Sequence, residues 1–423
     1  MVVHLLPRKS GNIVVAGKTL GPAEYSLIAP YLGLSASQRA RAATNMPNIK
    51  RYGERLLQRP VKPMADLLLN TPCNRRCEFC FWTPEGPESP VIDEDLISAR
   101  IRAAQAEGFL TTAYPKELNV NDRLLEQVLR LKTLAGDPYA ITNGERRLTQ
   151  QNLQALAQSS VRHLRISHLP AALHQIAYGR NSHAAVSSNI GEMVEFSRSH
   201  NPRPFSVGIF SQVYLDYLEG IQEVAREAVE LGVETVVLRL TRPLGNAKGG
   251  VSPLTEDAMD RFLLSVIEAR KNWPKEKLQI LLSMGTIGPN YYSKGIWRYQ
   301  LGLEDNAYLT SRRPCPMLDS PQSYTLLLPE EKFVFCLALV GEKTDGLILG
   351  DPKTGQIFKN RVIEDHLQYP SSICQPCDVI EICQGGCVAN RLQGRGLGEI
   401  RNTNLDVCLT ATLARWGAGI RQT

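Results

Sequence analysis

The sequence lacks the long hydrophobic runs and the blocks of like charge that mark membrane proteins and nucleic-acid-binding proteins. No apolar stretch approaches the ~20 residues that a membrane span needs. The first residues, 1–7, lack the basic flank and long apolar segment of an export signal. Basic residues number 48 and acidic residues 42, and no positive run reaches five. We therefore expect a solvated surface and no membrane or nucleic-acid partner.

Cysteine is absent from most of the 423 residues. All ten cysteines lie in two stretches, three between 73 and 80 and seven beyond 314. An even number permits disulfides, but thiols in the cytosol stay reduced and serve mainly in metal binding and catalysis. The clustering therefore predicts a cytoplasmic protein that binds metal. The length predicts two or three domains, and a content of 43% apolar residues is enough to bury a core.

Residues 65–284 alternate short apolar runs with longer helical patterns, which is typical of parallel βα units. Six such units predict a partial α/β barrel, whose functional residues gather at the carboxyl ends of the strands. We expect an N-terminal extension (1–64) before it, and a linker (285–314) and a cysteine-rich domain (315–423) after it. The predicted strands are 65–69, 109–113, 139–142, 163–167, 205–210 and 235–240, with a further strand at 278–283. The predicted helices are 93–107, 122–134, 149–158, 189–200, 218–231 and 255–271.

Three cysteines follow the first predicted strand directly. Cys73, Cys77 and Cys80 have the spacing C-x3-C-x2-C. Three thiolates so close together can bind three irons of a four-iron cluster and leave the fourth iron open to a chelating molecule. A zinc site with a distant fourth ligand is the alternative. With the aromatic Phe79 before the last cysteine, the spacing resembles the signature of the radical S-adenosylmethionine (SAM) superfamily.

The resemblance implies the fold and chemistry of that superfamily. These are a partial (β/α)6 barrel, a [4Fe–4S] cluster that binds SAM, and a 5′-deoxyadenosyl radical that abstracts hydrogen from substrate. It also implies SAM contacts from Phe79 near the adenine, Asn143 after the third strand, Ser167 at the ribose and Arg239 in the sixth strand. Each of three residues also has an alternative structural role: Asn143 could belong to an Asn-Gly turn, Ser167 could cap a helix, and Arg239 could form a surface ion pair.

One loop departs from the superfamily pattern. Relatives usually carry Gly-Gly-Glu after the second strand, where the backbone and the acid hold the SAM amino group. This sequence has Ala113-Tyr114-Pro115-Lys116-Glu117 instead. Both glycines are missing, so the loop must differ in shape. Glu117 is the residue that we expect to keep the acidic contact.

The seven tail cysteines resemble the SPASM domain that accompanies many radical SAM enzymes. Zinc bound by Cys-x2-Cys and two later cysteines is the alternative. The resemblance implies two auxiliary [4Fe–4S] clusters, and therefore three clusters in all. In the inner auxiliary cluster one iron would lack a cysteine and stay open or be bound by Asp319. The implied outer ligands are Cys374, Cys377, Cys383 and Cys408, and the implied inner ligands are Cys315, Cys336 and Cys387.

The resemblance implies a substrate class but no single substrate. Leu337 stands where sulfatase-maturing relatives place an acidic base, which disfavours that activity. A ribosomally made peptide is the leading substrate, and a sugar or aminocyclitol is the alternative. We expect a flavodoxin- or ferredoxin-type electron donor. A separate protein could hold a leader peptide, or residues 1–64 and the edge of the first strand could hold it by strand addition. An electron carrier without SAM chemistry is the non-enzymatic alternative, and the sequence identifies no general base.

Overall fold

The computed structural model describes residues 63–69, 71–80, 92–214, 216–241, 256–274, 276–283, 322–328, 331–334 and 348–360. Within these ranges none of the helices is long and apolar enough to cross a membrane. The helices are α1 (Glu94–Ala106), α2 (Asp122–Ala135), α3 (Gln150–Gln158), α4 (Ala171–Tyr178), α5 (His183–Arg198), α6 (Gly220–Glu230) and α7 (Glu256–Asn272).

The strands form two main sheets and one separate hairpin in the described part of the chain. One sheet has the order β2-β1-β8-β9, the second has the order β3-β4-β5-β6-β7, and β10 pairs with β11. The second sheet is parallel throughout. The strands are β1 (Met64–Leu69), β2 (Leu110–Pro115), β3 (Tyr139–Thr142), β4 (His163–Ser167), β5 (Ser206–Val213), β6 (Thr235–Leu240), β7 (Gln279–Ser283), β8 (Tyr324–Leu328), β9 (Lys332–Val334), β10 (Ile348–Asp351) and β11 (Gln356–Asn360).

Local signals in the sequence account for the helix ends. Asp93 precedes α1, and its carboxylate accepts a hydrogen bond from the backbone N–H of Leu96. Asn121 caps α2 through the N–H of Leu124 in the same way. Thr149 begins α3 with a reciprocal capping box to Asn152. Each cap satisfies a donor that the first helical turn leaves without a partner, which is why these boundaries could be predicted closely.

The predicted strands are all present, with ends that differ by up to a few residues. The helix α4 was not predicted, and the helix after it was predicted to begin at 189, whereas α5 begins at His183. The strand β8 was not predicted either, and it pairs with β1 in parallel while β2 occupies the other side of β1. The hypothesis that a leader peptide adds to the edge of β1 is therefore wrong, because both edges of that strand are paired.

Polar side chains connect the two sheets where β2 and β3 adjoin. The Oδ2 atom of Asp137 accepts hydrogen bonds from the backbone N–H of Ala113 (3.2 Å) and from Nζ of Lys132 (2.7 Å). Its Oδ1 atom accepts from the backbone N–H of Tyr139 at 3.0 Å. The Lys132 and Asp137 side chains are almost fully buried. Burying two charges costs desolvation free energy, and the hydrogen bonds to both charged groups offset that cost.

Several predictions concern residues outside the described ranges. They include residues 1–62 of the predicted N-terminal extension (1–64), the linker 285–314, Asp319, Leu337 and all seven cysteines of the tail. Of the predicted cysteine-rich domain, the structure describes residues 322–328, 331–334 and 348–360, which contain β8 to β11. The division of the chain into four segments and the two auxiliary clusters therefore remain predictions.

Candidate active site

The loop with Cys73, Cys77 and Cys80, here called the cysteine loop (71–80), lies at the carboxyl end of β1. Its first residue, Thr71, is fully buried, and its hydroxyl accepts a hydrogen bond from the backbone N–H of Lys116 at 2.8 Å. This bond fixes the loop to the end of β2. Farther along, the backbone N–H of Glu78 donates to the carbonyl of Ala177 in α4 at 3.0 Å. The loop is thus held between the strand ends and a helix.

The three thiols of the loop are partly buried, and none of them is in a disulfide with another described residue. Burial, with the nearby charge of Glu117, raises the pKa of Cys73 to about 11. Burial also raises the pKa of Cys77, and negative charge on Cys80 and Cys73 would raise it further. The sulfurs are therefore close enough to oppose one another's ionisation. Without a cation nearby, the raised pKa values favour neutral thiols. An iron–sulfur cluster would supply positively charged iron, which binds the three sulfurs as thiolates and would stabilise that form.

Arg75 is a buried charge inside the loop that the sequence analysis did not single out. Its side chain is fully buried, and its Nε atom lies 2.9 Å from Oε1 of Glu145. Its Nη2 atom donates to the hydroxyl of Ser182 at 3.3 Å, and its guanidinium lies 3.9 Å from the ring centroid of Tyr178. A buried cation needs such partners. We infer that Arg75 fixes the path of the chain between the first two cysteines.

Glu145 is the acceptor for several groups around the loop. It accepts hydrogen bonds from Nδ2 of Asn74 at 3.0 Å, from the hydroxyl of Ser182 at 2.7 Å and from the guanidinium of Arg180. Burial acts to raise the pKa of Glu145, but the Ser182 hydrogen bond and the charge of Arg75 outweigh it and hold the pKa below its ordinary value. The carboxylate is therefore the charged partner that Arg75 requires.

Asn143 and Gly144 place Glu145 where it reaches the loop. The Nδ2 atom of Asn143 donates to Oδ1 of Asn74 at 2.6 Å, and its Oδ1 atom accepts from the backbone N–H of Glu145 at 3.0 Å. Gly144 has φ +69°, and a Cβ there would stand 2.5 Å from Cγ2 of Ile166. Gly144 thus has a left-handed backbone conformation in a place with no room for a side chain, and Asn143 contacts the cysteine loop. The contact of Asn143 with SAM stays a prediction.

Glu117 is buried and already hydrogen-bonded. Its Oε1 atom accepts from the backbone N–H of Asn119 at 2.9 Å and from the hydroxyl of Thr142. Its Oε2 atom accepts from the backbone N–H of Asn143 at 2.8 Å. Burial raises the pKa of Glu117 against these hydrogen bonds. The side chain therefore joins the ends of β2 and β3, and its contact with SAM stays a prediction.

Phe79 lies in an apolar cluster beside the cysteines. Its ring centroid is 5.6 Å from that of Tyr178 and 6.5 Å from that of Tyr214, both in edge-to-face geometry. Leu169 and Ala177 belong to the same cluster, together with Cys77. This packing covers one side of the loop with aromatic surface. An adenine against Phe79 is consistent with such surroundings and stays a prediction.

Ser167 and Arg239 lie on the same end of the second sheet. Ser167 ends β4 and pairs with Phe210 on β5, while Arg239 pairs with Gln212 of that strand. Both side chains are half-buried. Because β4 runs beside β3, whose end contacts the cysteine loop, the two residues face the carboxyl edge that the loop occupies. Their roles toward SAM stay predictions.

Comparison with known proteins gives a match of fold. No family model matches the sequence, and no curated protein matches it. The structure of Streptococcus suis SuiB bound to precursor peptide SuiA aligns with a TM-score of 0.60 at 13% identity, over 90% of this chain and 86% of SuiB. Native anSMEcpe with bound AdoMet aligns with a TM-score of 0.57 at 13% identity, over 84% of this chain and 96% of that protein.

The chain therefore shares the α/β fold of SuiB and anSMEcpe. The alternation of strands and helices that the sequence predicted is confirmed for the described residues, but the six predicted parallel strands fall into two sheets, with β1 and β2 in one and β3 to β6 in the other. The (β/α)6 barrel and the radical SAM chemistry stay predictions. The identities are low, so the likeness concerns the fold.

Proposed function

We propose that this chain is a radical SAM enzyme that holds a [4Fe–4S] cluster with Cys73, Cys77 and Cys80 and modifies a peptide. The observation that carries the proposal is the cysteine loop itself. Three partly buried thiols lie at the carboxyl end of a parallel strand, and a buried Arg75–Glu145 ion pair fixes the loop. That arrangement lies on the fold of SuiB, which has also been solved bound to S-adenosylmethionine.

In this proposal the cluster and SAM supply the radical that removes hydrogen from substrate, and the protein supplies binding, orientation and exclusion of water. Arg75 and Glu145 hold the loop in one conformation. Phe79, with Tyr178 behind it, offers an apolar face to the adenine. Glu117 fixes the adjoining strand ends and keeps one carboxylate oxygen, Oε2, with capacity for a further hydrogen bond from the SAM amino group.

A ribosomally made peptide is the substrate class that we propose. SuiB is described bound to precursor peptide SuiA, and anSMEcpe bound to the Cp18Cys peptide. The anSMEcpe structure with the Cp18Cys peptide aligns with a TM-score of 0.55 at 13% identity, over 84% of this chain and 96% of anSMEcpe. The seven tail cysteines add support, because two auxiliary clusters would accept the electron that the peptide radical loses when it is oxidised to product. A flavodoxin- or ferredoxin-type protein would supply the first electron.

The test is anaerobic reconstitution of the full chain with iron and sulfide. We expect about 12 irons per chain, as three four-iron clusters require. With SAM and dithionite we expect 5′-deoxyadenosine. A peptide encoded by a short reading frame beside the gene would then lose hydrogen or gain a crosslink, detected by mass spectrometry. Turnover of a sugar or aminocyclitol, with no change in the peptide, would favour the small-molecule alternative.

A further inference from the structure

A group of side chains of the types that bind metal ions lies apart from the cysteines. His168 follows β4, His183 begins α5, and Glu227 lies within α6. Their candidate ligand atoms all lie within 4.8 Å of one another. The Oε2 atom of Glu227 lies 2.8 Å from Nε2 of His168 and 3.1 Å from Nε2 of His183. We call these three residues the histidine cluster.

The spacing of these atoms matches a coordination sphere. Zinc–nitrogen and zinc–oxygen bonds of about 2.0–2.1 Å place neighbouring tetrahedral ligands about 3.3 Å apart. The two Nε2-to-oxygen distances of 2.8 and 3.1 Å are slightly shorter, so a small outward movement would accommodate an ion. Two imidazoles and one carboxylate are a common donor set for first-row divalent ions, with a further position left for water.

The surroundings also favour a ligand. The fully buried His174 lies beside the cluster, with ring centroids 5.8 Å from His168 and 5.5 Å from His183. The Nε2 atom of His174 has no hydrogen-bond partner among the described residues, and neither has Nδ1 of His168. Buried nitrogens without partners are costly, and an ion bound through Nε2 of His168 and His183 would leave these two nitrogens as they are. Two imidazoles on one carboxylate, with a third imidazole beside them, are nevertheless hard to explain as packing alone, because apolar side chains would fill the same volume without that cost.

We propose that His168, His183 and Glu227 bind a first-row divalent transition ion of the zinc type. The position suggests what the ion does. His168 precedes α4 and His183 follows it, so one ion would fix both ends of that helix to α6. The helix α4 carries Ala177 and Tyr178, which pack against the cysteine loop. The ion would thus stabilise the wall of the candidate active site without contacting its sulfurs.

Zinc retention by the full chain tests the proposal. The reconstituted protein is incubated anaerobically with two equivalents of Zn²⁺, desalted, and analysed for zinc and iron by mass spectrometry. We expect the wild-type chain to retain about one zinc, with X-ray absorption showing nitrogen and oxygen ligands at about 2.0–2.1 Å and no sulfur. Unchanged iron content shows that zinc has not displaced iron from the cysteines.

Variants complete the test. His183→Ala and Glu227→Gln each remove one partly exposed ligand and should lower retained zinc at least tenfold with iron content unchanged. His200→Ala is the matched control, because His200 lies beyond the opposite end of α5 and should leave zinc retention intact. If His183→Ala fails to fold, Glu227→Gln, which preserves size, decides the result. A sulfur shell, no zinc in the wild type, or zinc retention at the wild-type level in both ligand variants would overturn the proposal.

Discussion

The cysteine loop and the histidine cluster flank the same helix, α4, but they are built in opposite ways. The loop takes its three sulfurs from eight consecutive residues, and remote groups such as Glu145 and Thr71 hold it in place. The histidine cluster takes its ligands from residues up to 59 apart, and each is fixed by its own strand or helix. The cysteines are close in sequence, but their loop needs contacts from distant residues to hold its conformation. The residues of the histidine cluster are far apart in sequence, and the packing of the strands and helices alone brings them together.

The largest effect should come from removing one sulfur. Cys77→Ala leaves two cysteines for the first cluster, so we expect the iron content to fall by about four atoms per chain and SAM cleavage to fall to background. The matched control is Arg76→Ala, an exposed side chain in the same loop. Iron analysis and 5′-deoxyadenosine assays check both variants. Full iron content in Cys77→Ala would contradict the assignment of this ligand.

The next largest effect should come from Arg75, which tests the claim that the loop depends on remote support. Arg75→Met removes the buried cation and leaves Glu145 with Arg180 as its charged partner. We expect a loss of about 3 kcal/mol in the free energy of unfolding, because one member of a buried pair remains. Arg76→Ala next to it should change that free energy by no more than about 0.5 kcal/mol. Anaerobic denaturant titration measures the free energy of unfolding of both variants. Equal losses in Arg75→Met and Arg76→Ala would contradict the claim that the loop depends on the buried ion pair.

Gly144 tests the turn that brings Glu145 to the loop. Gly144→Ala places a Cβ 2.5 Å from Cγ2 of Ile166 in a backbone with φ +69°. We expect a loss of about 2 kcal/mol or more. Gly191→Ala is the control, because Gly191 lies inside α5 with no atom within 4 Å of the added Cβ. It should be neutral or stabilising, by up to about 1 kcal/mol. Denaturant titration measures the free energy of unfolding of both variants, and an equal change in Gly144→Ala and Gly191→Ala would contradict this account of the turn.

An effect that depends on pH, and vanishes at low pH, concerns Asp66 in the strand that leads into the loop. Burial raises its pKa to about 6, against a hydrogen bond from Thr112. Since the folded state holds this proton more tightly, wild-type stability should fall as the pH rises from about 4 to about 6. Asp66→Asn should remove that loss. The stability gained over the wild type should grow by about 1.4 kcal/mol per pH unit up to pH 6 and then level off. A pH-independent difference would contradict the raised pKa.

The same contrast explains what could be predicted from the sequence. The spacing of Cys73, Cys77 and Cys80 and the caps at Asp93 and Thr149 are local patterns, so the loop and the helix starts were predicted closely. The Arg75–Glu145 pair joins residues 70 apart, which no local pattern reveals. An arginine between two cysteines of the C-x3-C-x2-C pattern was the only available signal. The strand β8 was missed for the same reason, since it pairs with β1 across more than 250 residues.

The short helix α4 was missed because its ends carry weak signals. Pro170 precedes it without a side-chain cap, and its eight residues contain few of the contrasts that mark an amphipathic helix. Tertiary contacts with the cysteine loop stabilise it instead, through Ala177 and Tyr178. The histidine cluster was missed with it, because its ligands meet only once α4 is in place.

Production of 5′-deoxyadenosine by the reconstituted full chain is the most direct measurement of the central claim. With SAM and dithionite under anaerobic conditions, the account predicts a brown, iron-rich protein that cleaves SAM, and a Cys77→Ala variant that does not. A colourless protein that holds zinc at the three cysteines and leaves SAM intact would contradict it.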